Sequence, residues 1–161
     1  TRTAAFEDCL ERAVELGARR FVPIAAERCV VRLDGKRAAA KAERWRKLAR
    51  EALKQCERLW DTEVAEPVSL AGALAAAGQD YAAVALVERA GDGAEPLAAV
   101  LESLDRPPLL FVGPEGGWSD GERERLLGAA RPAHLGGAIL RSETAALAAL
   151  GSVLARASRV V

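Results

Sequence analysis

From residue 81 onward the chain alternates short apolar runs with helix-length stretches, and that alternation limits the folds open to it. Tyr81–Val87 is continuously apolar, as a strand buried on both faces requires. Residues 95–103 predict a short helix, and Pro107–Val112 predicts a second buried strand. Ser119 and Glu122 carry the S-x-x-E pattern of a capping box, which opens a helix to about Ala130. Pro132–Leu135 reads as another short strand, and Glu143–Ser158 as a helix rich in alanine and leucine. Strands alternating with helices imply an α/β fold, with a parallel sheet of about five strands covered by helices on both faces.

The first half of the chain is sparser in strands. Phe6, Leu10, Ala13 and Val14 fall on one face of a helix over 4–16, with Gly17 as its C-terminal cap. Arg20–Ile24 predicts a short strand broken by Pro23. Residues 38–60 predict the longest helix, with Trp45, Leu48, Ala52, Cys56 and Leu59 at three- and four-residue steps. Ser69 caps a short alanine-rich helix ending at Gly78. The last helix is apolar almost all round (Ala145, Ala146, Leu147, Ala148, Ala149, Leu150, Val153, Leu154). That pattern suits a helix buried twice, in its own core and against a second subunit of a homodimer.

Composition removes several function classes. At 161 residues the chain is about one domain long. Charges interrupt every hydrophobic run well short of the roughly 18 residues that a membrane span needs. TRTAAFEDCLERAVEL, at the start, lacks the uninterrupted apolar core of a secretion signal. Cys9, Cys29 and Cys56 are odd in number and widely spaced, which favours a reducing cytoplasm over a disulfide framework. His134 is the single histidine, so neither a metal cluster nor a Ser-His-Asp or Cys-His apparatus is expected.

The net charge is zero, yet residues 19–58 hold thirteen Lys/Arg against five acids. A basic third on a neutral protein is a candidate phosphate-facing surface. The same residues also fit a solvated helix face with local pairs such as Glu43 with Lys47.

In an open parallel sheet, ligands bind beyond the carboxyl ends of the strands. Two glycine-bearing loops occupy that position here, Gly113–Gly117 (GPEGG) and Leu135–Thr144 (LGGAILRSET). Glycine lets backbone approach a ligand closely. Neither loop matches G-x-x-x-x-G-K-[ST] or G-x-G-x-x-G, so an NTPase and a standard dinucleotide site are disfavoured.

GPEGGWS at 113–119 with Glu122, followed by LGGAILRSETAAL at 135–147, resembles the RsmE family. Its members are uridine N3-methyltransferases of small-subunit (16S) ribosomal RNA, within the SPOUT class of knotted methyltransferases. Glu15-Leu16-Gly17, Pro23, Arg44-Trp45 and Glu51-Ala52-x-x-Gln55-x-x-Arg58 resemble the same family in order and spacing, so the likeness covers essentially the whole chain.

The resemblance implies S-adenosyl-L-methionine as methyl donor, held by a C-terminal trefoil knot that general topology rules alone argue against. It implies cofactor contacts from Val87 and Glu88 at the end of one strand. Val112, Gly113, Pro114 and Gly117 supply the second group. Leu135, Gly136, Ile139, Leu140, Thr144 and Ala145 supply the third. Uracil N3 must lose a proton to attack, and each unit by which a site lowers that pKa is worth about 1.4 kcal/mol. Arg141 is the expected catalytic group, stabilising negative charge on the uracil oxygens, with Glu143 or Glu115 taking the proton or orienting Arg141. Arg28, Arg44 and Arg58 are the expected RNA-binding residues, and no metal is implied.

Some features depart from the family pattern. Members usually begin with a small PUA-like β-barrel RNA-binding domain, and nothing in 1–161 corresponds to it. With no methionine in the chain, the expectation is the catalytic domain of a longer protein. Ala138 stands where the family commonly has Arg, Cys29 replaces a usual Ser, and Thr62 sits near a usual Pro. Two other readings compete. One is a SAM- or nucleotide-binding RNA-interaction module without turnover, and the other is a SPOUT methyltransferase acting on transfer RNA.

Overall fold

The computed structural model describes residues 2–29, 35–57, 60–88 and 93–158. Six helices and six strands follow one another among them. These are α1 (Arg2–Glu15), β1 (Arg20–Phe21), α2 (Gly35–Gln55), β2 (Glu63–Val64), α3 (Leu70–Ala77), β3 (Ala82–Leu86), β4 (Glu95–Pro96), α4 (Leu97–Glu102), β5 (Pro108–Phe111), α5 (Asp120–Ala129), β6 (Arg131–His134) and α6 (Ser142–Ala157).

The strands form two sheets where the alternation predicts a single sheet of about five. β4, β6, β3 and β5 make a four-stranded sheet in that order, and every neighbouring pair is parallel. β1 and β2 form a separate parallel pair, with Arg20 beside Glu63 and Phe21 beside Val64. Pro23 explains why β1 is short: it brings no N–H to a ladder. Pairing resumes beyond it, where Val68 N donates to the Pro23 carbonyl and Ala25 N to the Val68 carbonyl. The expected helix over 95–103 begins two residues late, because Glu95 and Pro96 pair with Ala133 and His134 as an edge strand. Proline is tolerated at such an edge.

Side-chain alternation places the two helical layers. Ala85 and Phe111, with half-buried Ala83 and Leu109, pack against Leu70, Ala73 and Leu126 of α3 and α5. Val84, Leu86, Leu110 and Ala133 face the other way, onto Leu97, Val100 and Leu101 of α4 and Ala149 of α6. Both faces of β3 are therefore covered, as its unbroken apolar sequence requires. A third cluster joins α1, α2 and β2 through Leu10, Val14, Trp45, Ala49, Ala52 and Val64. Phe6 anchors it from the side, edge-on to Phe21 with ring centres 5.4 Å apart.

α2 is shifted from its predicted span of 38–60, starting earlier and stopping at Gln55. Glu57 then takes a positive φ of 54° that ends the helical path. Leu59 lies outside the described residues. α6 differs in burial: Ala149 is its one fully buried residue, while Ala146, Leu147, Leu150, Val153 and Leu154 are half-buried. Among the described residues no helix is long and apolar enough to cross a membrane.

Candidate functional site

The carboxyl ends of β5, β3 and β6, three adjacent strands, open on one cavity of about 390 Å³. Leu86, Val87 and Glu88 enter from β3, and Val112, Gly113, Pro114, Gly117 and Trp118 follow β5. Leu135, Ala138 and Leu140 follow β6, Arg123, Leu126 and Leu127 come from α5, and Ser142 and Ala145 from α6. The two glycine loops thus meet across one space, at the place where parallel α/β sheets bind ligands. Its walls are largely aliphatic, and Glu88 is the one carboxylate among the described residues that line it.

The loop after β5 is built by close approach. A Cβ on Gly113 would sit 3.2 Å from Trp118 Nε1, and one on Gly116 would sit 3.3 Å from both the Cβ and the carbonyl oxygen of Arg28. Gly117 has φ +69° and its N–H donates to the Pro114 carbonyl at 2.8 Å, closing the turn. Trp118 Nε1 is buried without a hydrogen-bond partner among the described residues.

α5 begins with the expected capping box. Glu122 N donates to Ser119 Oγ, and Ser119 N donates to Glu122 Oε2 at 3.0 Å. Glu122 is only 4% exposed, and its Oε1 also accepts from the amide of Glu27 at 2.9 Å. Burying a carboxylate costs several kcal/mol. Two charge-assisted bonds of about 1.5–3 kcal/mol each offset most of that. The same side chain therefore caps a helix and fastens residues 25–29 to the cavity loop.

Of the expected cofactor residues, Val87, Glu88, Val112, Gly113, Pro114, Gly117, Leu135, Leu140 and Ala145 line the cavity, whereas Gly136, Ile139 and Thr144 do not. Ile139 is 59% exposed, and Gly136 turns the chain with φ +122°. The Gly136 N–H donates to His134 Nδ1 at 3.2 Å. Leu86, Trp118, Arg123, Leu126, Leu127, Ala138 and Ser142 line the cavity unexpectedly. Trp118 was legible as part of the motif, and Leu126 as the apolar side of the capped helix.

None of the three expected catalytic residues lines the cavity. Arg141 is exposed at the N-cap of α6, between the lining residues Leu140 and Ser142, and its carbonyl accepts from Ala145 N. Glu115 is exposed on the loop tip. Glu143, half-buried in the first turn of α6, makes no ion pair with Arg141 among the described residues. Its charge acts instead on Cys9 of α1. Burial first, then Glu143 and Asp8, push the Cys9 thiol up to about 11.

The expected RNA-binding residues separate. Arg28 is exposed beside Gly116 and has no side-chain partner among the described residues. Arg44 pairs with Glu7 through two bonds of 2.7 and 2.8 Å. Arg58 lies outside the described residues. Elsewhere on α2, Glu43 pairs with Arg46 and Arg50, and not with the expected Lys47. Among the described residues no group of three His, Cys, Asp or Glu is placed to hold a metal ion.

A family model described as an RNA methyltransferase domain matches residues 1–154. The chain is 38% identical over 149 residues to ribosomal RNA small subunit methyltransferase E of Bacillus subtilis (strain 168), a match covering 89% of this chain and 58% of that protein. To the protein of the same name from Synechocystis sp. it is 34% identical over 154 residues, covering 93% of this chain and 49% of that one. Its fold matches a crystal structure of a ribosomal RNA small subunit methyltransferase E from Neisseria gonorrhoeae bound to S-adenosyl methionine. That match has a TM-score of 0.80 at 31% identity, covering 91% of this chain and 60% of the other. The chain spans about half to three fifths of the length of these relatives.

Proposed function

The chain belongs to the RNA methyltransferase domain family, with relatives named ribosomal RNA small subunit methyltransferase E, and from that membership we propose that it methylates 16S ribosomal RNA at uridine N3. The observation that carries this reading is the convergence of both glycine loops on one cavity at the ends of β5, β3 and β6. In the whole protein this chain is the catalytic domain, acting in the cytoplasm on the small ribosomal subunit or its RNA.

S-adenosyl-L-methionine fits the residues present. About 390 Å³ falls within the usual range for small-molecule sites. Val112, Leu135 and Leu140 offer apolar surface to a purine. The Gly113 and Gly117 backbone stays bare enough for close approach, and Glu88 answers positive charge. Bound there, the cofactor supplies an electrophilic methyl whose bond to sulfur breaks as its bond to uracil N3 forms, leaving a neutral thioether. A trefoil crossing of the 135–141 loop belongs to the same reading, supported by β6 lying inside the sheet, between β3 and β4.

The chain's own contribution is positioning and proton management. The two loops hold the donor and exclude water from it. Arg141, flanked by two lining residues, offers a guanidinium to the uracil oxygens as N3 loses its proton. Glu115 or Glu143 takes that proton or orients Arg141, and a comparison of their glutamine variants decides between them. The half-buried Leu147, Leu150 and Leu154 of α6 support a homodimer, since apolar side chains so placed gain from being covered.

A second reading has one observation in its favour: Arg141, Glu143 and Glu115 all stand outside the cavity lining. On that reading the chain binds the cofactor and RNA without turnover. Incubating the full-length protein with methyl-labelled cofactor and unmodified small subunits, naked 16S RNA or transfer RNA, then mapping the labelled nucleoside, separates the readings. Label at N3 of a 16S uridine is expected. Binding without label supports the second reading, and label in transfer RNA alone overturns the choice of substrate.

A further inference from the structure

The cavity loop and the segment carrying Arg28 are 95 residues apart in sequence at their point of attachment, yet one buried carboxylate joins them. Glu122 accepts from Ser119 N on the loop side and from Glu27 N on the other, and it is almost wholly shielded from water. Next to that joint, Arg28 packs against Gly116, where a Cβ would sit 3.3 Å from the Arg28 Cβ and carbonyl oxygen. The arginines of α2 differ in that Arg44, Arg46 and Arg50 are all paired with acids. Arg28 is exposed and has no such partner among the described residues.

We propose that Glu122 is a positioning residue: by holding the amide of Glu27 it fixes Arg28 against the 113–117 rim, so that an RNA phosphate bound there lies in register with the cavity. The proposal rests on the RNA-methyltransferase reading above. A phosphate on Arg28 neutralises a charge that no side chain among the described residues answers. The loop beneath then carries both the RNA contact and the cavity wall. Substrate backbone and cavity are set to each other by one side chain, which touches neither.

The local turn permits a narrow test. Cys29 N donates to the Ala26 carbonyl at 3.0 Å, so Glu27 occupies the second position of a four-residue turn, where proline is favoured. Glu27→Pro removes the one N–H that Glu122 accepts from this segment and leaves the α5 capping box intact. Binding of an unmodified 16S RNA transcript is titrated across salt concentrations for the parent protein, Arg28→Ala, Glu27→Pro and the double variant. Calorimetry with S-adenosylmethionine runs in parallel.

Losing one phosphate contact flattens the plot of log affinity against log salt by about 0.7 for a single strand. Arg28→Ala and Glu27→Pro are each expected to flatten it by that amount. The double variant is expected to add nothing further, because both remove the same contact. Glu122→Gln, which accepts from only one of the two amides, provides a second route to the same shift. Cofactor affinity in Glu27→Pro is expected to stay within about twofold of the parent. An unchanged slope in both Glu27→Pro and Glu122→Gln overturns the proposal, as do losses that add in the double variant. Failure of the parent protein to take up the cofactor sinks the methyltransferase reading instead, while the salt slopes still decide the coupling.

Discussion

Arg44 grips Glu7 with two parallel bonds, Nε to Oε1 at 2.7 Å and Nη2 to Oε2 at 2.8 Å, and so ties α2 to α1. Bidentate geometry of this kind fixes orientation as well as distance. Arg44→Ala is expected to lower the melting temperature and to leave the salt slope of RNA binding where it was. A slope that falls as it does for Arg28→Ala returns Arg44 to the RNA surface.

The close approaches in the 113–117 loop predict an order of damage. Gly113→Ala forces Trp118 aside and Gly116→Ala forces Arg28 aside, since each new Cβ meets atoms at 3.2–3.3 Å. Both are expected to weaken binding of S-adenosylmethionine by about tenfold, equivalent to about 1.4 kcal/mol. Gly137→Ala meets nothing within 4 Å and is expected to be silent. Calorimetric titration of the three variants checks the order.

Arg141 stands exposed at the start of α6 between two residues of the cavity wall. If it stabilises charge only as the proton leaves N3, its loss acts on turnover and not on cofactor affinity. Arg141→Ala is expected to cost roughly 10²–10³ in kcat, as removal of such a donor does elsewhere, with an unchanged cofactor Kd. Equal turnover in the variant refutes the assignment. Glu115→Gln and Glu143→Gln, measured beside it, show which carboxylate manages the proton.

Cys9 is buried, and its thiol is raised from 9.0 to about 11, first by desolvation and then by Glu143 and Asp8. At pH 8, iodoacetamide is expected to label the half-buried Cys29 and Cys56 before Cys9, read by peptide mass spectrometry. The folded value lies above the unfolded one, so burial of the neutral thiol contributes its full stabilisation below about pH 9. That contribution drains away as pH rises through about 11. Cys9→Ala is expected to flatten this alkaline part of the stability curve.

On α6, Leu150→Glu is expected to turn a dimer into a monomer in sedimentation at micromolar concentration, because it sets a charge in the half-buried apolar stripe. A parent protein that sediments as a monomer removes the dimer altogether.

Local rules were the legible part of this chain. The unbroken apolar run at 81–87 gave away a strand covered on both sides, and Ser119 with Glu122 marked the start of α5, since both signals act within a few residues. β2 and β4 left no trace, because two residues are too few to show a period. Long-range pairing was equally silent. Nothing near Arg44 announced Glu7, and nothing near Glu122 announced the amide of Glu27. At the site, the motifs drew both loops together correctly, but the direction each side chain takes from a loop depends on backbone turns such as that at Gly136. Ile139 therefore faces out where an apolar wall was expected.

The seat of β6 in the sheet has a consequence for biosynthesis. Of the six described strands this one is made after the other five, yet it fills an interior place, and among the described residues β4 has no other sheet neighbour. Until Arg131–His134 emerge, β3 shows one unsatisfied edge and the nascent domain has a gap at its middle. Such late closure makes folding slow and leaves an adhesive intermediate. A premature stop before residue 131 would leave an open, aggregation-prone remnant and no smaller version of the same domain.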